Sequence, residues 1–121
     1  MNNTPLDPAR QLYFRFLTLA QSLSQQHGVA ALAPSEAQLL QEVVLRDFER
    51  RAFTISQALA MKHLGSPATL HKRLLRLRAA GLLDYKKDVT DHRTKYLIAT
   101  PLAMQHYARM GEVMQLLMQA E

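Results

Sequence analysis

The sequence predicts a mostly α-helical domain that carries one small β-hairpin, and three observations lead there. Helix starts are marked by a capping oxygen before proline at Asp7-Pro8, Ser66-Pro67 and Thr100-Pro101, and by a T-x-x-Q capping box at Thr54 and Gln57. Apolar residues recur at three- and four-residue spacing along most of the chain. That period gives way at "LLDYKK" and "KYLIA", two short runs joined by a polar segment containing "TDHRTK", Thr90 to Lys95, so the hairpin tip holds an acid, two bases and a histidine.

From Pro8, the residues Ala9, Leu12, Tyr13, Phe16, Ala20 and Leu23 form a helical stripe that runs to about His27 and stops at Gly28. A second helix over 34–50 turns Leu39, Leu40, Val43, Val44 and Phe48 inward, with acids early and Arg50-Arg51 late, as the helix dipole favours. Ala33 is a poor cap for it, so Ser35 is expected to serve. Residues 55–63 read as one short helix with Ile55, Leu59 and Met61 inward, closed by Gly65 of "HLGS". "SPATLHKRLLRLRAAG" follows at once: Leu70, Leu74 and Leu77 make an inner stripe, Ala68, Thr69, Lys72, Arg73 and Arg76 take the other side, and Gly81 ends the helix. After the hairpin, a last helix carries Ala103, Tyr107, Met110, Val113, Met114 and Leu117 on one stripe. The organisation expected is a single domain over 1–121, with terminal helices at 6–27 and 101–120 around a core at 34–99.

The 121 residues are 48% hydrophobic and 21% charged, a globular composition of one-domain size. There is no cysteine, which excludes disulfides, thiolate metal sites and cysteine nucleophiles. The start "MNNTPLDPAR" has no basic-then-apolar leader and no stretch approaches the ~18 apolar residues of a membrane span, so a cytoplasmic protein without a membrane partner is expected. No phosphate loop, nucleophile motif or paired buried carboxylates occur, and Asp47 and Glu49 read as a solvated turn beside arginines, so the protein is expected not to be an enzyme and to need no cofactor. His27, His63, His71, His92 and His106 form no i, i+4 pair with a nearby acid, and are expected at the surface or against a partner, with no metal.

Net charge is +5, yet residues 54–95 hold nine Lys or Arg against three acids and leave the remainder slightly acidic. All the excess positive charge lies in one third of the chain, the footprint of a surface that meets a polyanion. A short helix, a turn containing glycine and a second helix with a basic outer face make a helix-turn-helix, and a basic hairpin directly after it is a wing. The expected fold is therefore a winged helix-turn-helix with N- and C-terminal dimerisation helices. Such a helix fits the major groove of double-stranded DNA. Ser66, Ala68 and Thr69 permit close approach there, while His71, Lys72, Arg73 and Arg76 reach bases or phosphates. On the wing, Lys86, Lys87 and Lys95 are expected at phosphates and Arg93 in or beside the minor groove, its guanidinium held by Asp91 through a charge-assisted hydrogen bond. The alternative is a protein-interaction module that docks the same face on an acidic protein.

The terminal stripes exceed what a small core covers, so Leu12, Tyr13, Phe16, Tyr107, Met110, Met114 and Leu117 are expected to face a second copy in a homodimer.

Residues 32–103 resemble the MarR family of bacterial winged-helix transcriptional regulators. The likeness runs without a gap from "FTISQALAMKHLGSPATLHKRLLRLRAAGLL" through "DVTDHRTKYLIAT", and the family's D-x-R wing motif falls on Asp91 and Arg93, with Lys95 and Thr100 also in place. "LAPSEAQLLQEV" resembles the preceding helix start. The chain departs from the pattern at Asp84-Tyr85, where arginine is frequent, at Ala99 for leucine, at Ala103 for glycine and at Ala33 for a capping threonine; the acid at Asp84 weakens the base of a basic wing. The resemblance implies a homodimeric repressor of pseudo-palindromic operators. It also implies release of DNA when a small phenolic or lipophilic ligand binds between the dimer and DNA-binding parts.

Overall fold

Side-chain oxygens decide where most of the helices begin. The computed structural model describes residues 7–24 and 32–119. The expected stop at His27 and Gly28 and the Leu23 side chain lie outside what it describes. Its elements are α1 (Pro8–Ser24), α2 (Pro34–Phe48), α3 (Ile55–Leu59), a 3-10 turn (Lys62–Leu64), α4 (Pro67–Ala79), β1 (Leu83–Lys87), β2 (Lys95–Ala99) and α5 (Pro101–Gln119). Asp7 Oδ1 accepts the Ala9 N–H at 3.0 Å, and Ser66 Oγ accepts that of Thr69 at 3.2 Å. Thr54 and Gln57 form the full capping box, at 3.0 and 3.1 Å. The Thr100 hydroxyl accepts the Ala103 N–H at 3.3 Å and donates to the Gly81 carbonyl at 2.6 Å, which ties the start of α5 to the end of α4. At α2 the expectation for Ser35 is corrected: Ala33 is the cap residue and no side chain bonds there, while Pro34, at the first helical position, has no amide to leave unpaired.

The chain reversals are equally local. The helix expected over 55–63 is broken: α3 stops at Leu59, and Met61 leaves helical geometry before the 3-10 turn, which reverses the chain sooner than an unbroken helix would. Gly65 then adopts φ 147°, a region essentially closed to residues with a Cβ. Helix α4 ends in a Schellman motif, with Gly81 at φ 77° and bonds from the Gly81 and Leu82 amides to the Arg78 and Leu77 carbonyls. Helix α2 ends the same way, its Arg50 and Arg51 amides bonding to Asp47 and Arg46, but the left-handed position is held by Arg50 at φ 61°. A non-glycine residue there costs roughly 1 kcal/mol.

Leu39, Leu40 and Val43 of α2, Leu70, Leu74 and Leu77 of α4, and Leu82, Leu83 and Leu97 around the hairpin pack into one core. Each buried leucine stabilises the fold by about 1.5–3 kcal/mol. Phe48, expected here, is instead 79% exposed. The inner line of α2 runs Glu36, Leu40, Val43 and then Asp47, at helical spacing, and Phe48 lies one position off it. Asp47 is accordingly not part of a solvated turn: half-buried, it accepts the Ala99 N–H at 3.0 Å from a residue 52 positions away.

That bond anchors the wing. Strands β1 and β2 pair antiparallel in the register Leu83↔Ala99 to Lys87↔Lys95. The other edge of β2 is engaged by a bridge between Thr54 and Tyr96 and by the Leu97 N–H donating to the Phe53 carbonyl at 2.8 Å. Strand β2 is thus held by β1 on one edge and by Asp47, Phe53 and Thr54 on the other.

Helix α1 packs chiefly on α5. The buried line of α5 is Ala103, His106, Val113 and Leu117. Of the stripe expected there, Tyr107 and Met110 are half-buried and Met114 is 53% exposed. His106 corrects the expectation of surface histidines, because the line it shares faces inward. Among the described residues no helix is long and apolar enough to cross a membrane.

Replacing Asp47 with alanine leaves the Ala99 amide without its acceptor and is expected to lower stability by about 1–2 kcal/mol in urea unfolding. Asp47→Asn, which keeps an acceptor oxygen, is expected to lose less.

Candidate nucleic-acid interface

Burial of Leu70, Leu74 and Leu77 dictates what α4 shows to solvent. Ala68, His71, Lys72, Leu75, Arg76 and Ala79 form its exposed side, beside Ser66 at the cap. Leu75, 46% exposed, was missed by sequence reading, although its place between Leu74 and Leu77 and off their stripe marks it as outward. Thr69 and Arg73 stand apart from this side, being half-buried. The Thr69 hydroxyl accepts from Ser66 Oγ at 2.9 Å. Arg73 Nη1 donates to the Leu64 carbonyl at 2.7 Å, and a Cβ at Gly65 would sit 3.4 Å from the same nitrogen. Arg73 therefore braces the turn between the two helices of the motif. Arg76 reaches toward the buried Glu36 at 4.0 Å, yet its side chain is 69% exposed and its charge stays at the surface.

Strand alternation divides the wing lysines, which the sequence groups together. Lys87 lies directly opposite Lys95, in line with Tyr85 and the buried Leu83 and Leu97, whereas Lys86 lies opposite Tyr96 on the outer face. Two like charges in direct register disfavour the hairpin, by some tenths of a kcal/mol. An anionic partner across them removes that penalty. The Tyr85 ring receives Arg78 Cζ at 4.1 Å and Lys95 Nζ at 5.8 Å from its centroid. Arg78 Nε also stands 3.6 Å from Asp84 Oδ1, so the acid at the wing base is met by Arg78.

The tip is ordered by two aspartates acting on the backbone. Asp88 Oδ2 accepts the Thr90 N–H at 3.2 Å, the Thr90 hydroxyl at 2.8 Å and the Asp91 N–H at 2.9 Å. Asp91 Oδ1 accepts the Arg93 N–H at 3.1 Å, and its Oδ2 accepts the Thr94 hydroxyl at 3.0 Å. The loop closes with the Asp88 N–H donating to the Thr94 carbonyl at 2.9 Å. Asp91 therefore does not hold the Arg93 guanidinium, as the D-x-R spacing suggested. At that separation the turn brings the main-chain amide onto the carboxylate, and no Asp91–Arg93 ion pair forms. The exposed Arg93 side chain is left to project, and with Thr54, Ser56 and Lys95 it lines an open cleft between the tip and the start of α3. The Thr90 hydroxyl, followed by the Asp91 amide, holds the Asp88 carboxyl below the usual aspartate range.

Of the expected dimer residues, Leu12, Tyr13, Phe16, Met114 and Leu117 line one open apolar groove between α1 and α5. Tyr107 lies elsewhere, beside Val44, Leu45, Phe48 and Met104 in a second apolar groove between α2 and α5, and burial pushes its phenol up from the usual range. His63, His71 and His92 are exposed, and no group of residues suited to hold a metal occurs among the described residues.

No protein-family model matches the sequence, and no curated protein does. Solved structures do match. Transcriptional regulator Tm0710 of Thermotoga maritima superposes at a TM-score of 0.63 with 15% identity, over 92% of this chain and 72% of that one. The heme sensor PefR of Streptococcus agalactiae, in complex with heme, gives 0.57 and 22%, over 96% and 77%. MepR of S. aureus, in complex with DNA, gives 0.55 and 14%, over 92% and 79%. These neighbours are MarR-family regulators. At such identities the likeness establishes the fold, the winged helix-turn-helix with flanking terminal helices.

Two outcomes follow from the site. Arg73→Ala is expected to lower stability by about 1–2 kcal/mol, since it strips a charged donor from the Leu64 carbonyl, whereas Lys72→Ala is expected to stay within about 0.5 kcal/mol in the same unfolding experiment. The depressed Asp88 carboxyl contributes order above its unfolded-state range and loses that contribution as pH falls through its folded value. The protection of the Thr90 and Asp91 amides, taken relative to unstructured peptide at the same pH, is expected to fall on acidification through that window, and Asp88→Asn to remove the acid step.

Proposed function

We propose that this protein is a sequence-specific DNA-binding transcriptional regulator of the MarR type, a homodimeric repressor of pseudo-palindromic operators. The observation that carries the reading is the solvent-facing side of α4, with His71, Lys72 and Arg76, followed in the chain by a wing whose rigid tip leaves Arg93 free. In this reading Ala68 and Ser66 allow close approach to base edges, Lys87 and Lys95 meet phosphates, and Arg93 enters the minor groove. Thr69 and Arg73 act from behind, by fixing the turn that aims α4.

The apolar groove of α1 and α5 supports dimerisation, because a pair of helices packed mainly on each other leaves Leu12, Tyr13 and Met114 in water. A two-fold pair would present its α4 helices about 34 Å apart, one turn of DNA. MepR is bound to DNA and PefR is a heme sensor, which supports a DNA-binding, ligand-responsive reading here. The groove beside Tyr107 supports a small lipophilic or phenolic ligand. On this reading the protein has no catalytic role and works in the bacterial cytoplasm.

Selection of duplexes from a random pool tests it. A pseudo-palindrome is expected, with affinity falling steeply in salt as ~6–10 phosphates per dimer displace counterions. Arg93→Ala is expected to weaken all duplexes alike, and His71→Ala to change which sequence is selected. Failure to select any duplex, with retention of an acidic protein instead, would move the function to protein docking.

A further inference from the structure

Behind the wing lies a groove that shares only Lys87 with the surface assigned to DNA above. It runs between the C-terminal end of α2 and the outer face of the hairpin, with Arg50, Arg51, Lys86, Lys87 and Tyr96 in its walls. Two acids share it, Asp47 and Asp88, and both are occupied: Asp47 accepts the Ala99 amide, and Asp88 accepts from Thr90 and Asp91. Arg51 pairs with Glu49 at 3.1 Å. Among the described residues Arg50, Lys86 and Lys87 form no ion pair. Arg50, moreover, is the residue held at φ 61° in the α2 cap, where glycine is the ordinary occupant and arginine is strained. A charge kept at a backbone position that disfavours it points to a use for the charge.

We propose that this groove binds the phosphodiester strand on the far wall of the minor groove that Arg93 enters, so that DNA backbone meets the wing on both faces. The inference rests on the DNA-binding reading above. The minor groove is about 6 Å wide, whereas a ribbon with its side chains is about 10 Å thick from face to face, so only the tip enters and each face of the hairpin is left beside one wall. Lys95 serves the wall nearer α4, Lys86 and Arg50 serve the opposite one, and Lys87, next to the tip, borders both. DNA is favoured over an acidic protein as the occupant because the groove is continuous with the tip through Lys86, Lys87, Asp88 and Val89. The contact lengthens the footprint beyond each α4 without reading sequence.

The experiment uses the full chain and a selected duplex in two lengths, one extending a half-turn beyond each wing and one trimmed of that flank. The variant is Arg50→Gly with Lys86→Gln, in which glycine accepts the left-handed backbone and thermal melting checks the fold. On the long duplex the variant is expected to flatten the dependence of log Kd on log salt by about 1 for each phosphate it no longer neutralises. On the trimmed duplex it is expected to match the unaltered protein. Equal slopes for both proteins on the long duplex, or the same flattening on both lengths, overturn the proposal. Weakened binding of polyglutamate with unchanged duplex slopes overturns it in favour of an acidic protein partner. Binding of no duplex by the unaltered protein overturns the DNA reading itself, and is distinguished because it needs no variant.

Discussion

The placement of the charged surface depends on one constraint, the burial of Leu70, Leu74 and Leu77 against Leu39, Leu40 and the hairpin leucines. A helix buried along one line has no freedom to rotate about its axis without exposing leucine, at a cost of about 1.5–3 kcal/mol for each side chain. The direction in which His71, Lys72 and Arg76 face is therefore a consequence of the core. The same leucines reach the wing through Leu82, Leu83 and Leu97, so helix and ribbon are oriented by one packing arrangement.

Around that core the acids and bases divide their work. Asp47, Asp88 and Asp91 spend their oxygens on backbone amides and on the Thr90 and Thr94 hydroxyls, which anchors the wing and shapes its tip. Most of the bases are left at the surface. Arg73, tied to Leu64, Arg78, stacked on Tyr85 beside Asp84, and Arg46, stacked on Phe53, are turned to contacts within the fold. A carboxylate bonded to amides still carries its charge, but its position is set by the fold, and it does not move to neutralise a nearby lysine.

Much of this was legible in the order of residues. Capping oxygens before proline, glycine at the ends of turns and the leucine period mark the helices, because those signals act within one or two turns of chain. The exposed positions of α4 follow from its leucines in the same way. Sequence reasoning fails where a distant partner competes for a side chain. Phe48 reads as core because it is apolar, and Asp47 as solvated because it is acidic; the 52-residue bond to Ala99 reverses both. Asp91 and Arg93 look like an ion pair until turn geometry brings the amide to the carboxylate first.

By itself the sequence determined the succession of elements, their caps and the concentration of positive charge in one third of the chain, since each depends on neighbouring residues and their periods. Only the tertiary structure decided which of those charges share a surface. It parted Lys86 from Lys87 and Lys95, drew Arg73 into the turn, and brought Arg50 from the end of α2 to the back of the wing. The physical reason is that side-chain direction depends on strand alternation, helix rotation and contacts between segments far apart in the chain, and these exist only once the core has closed.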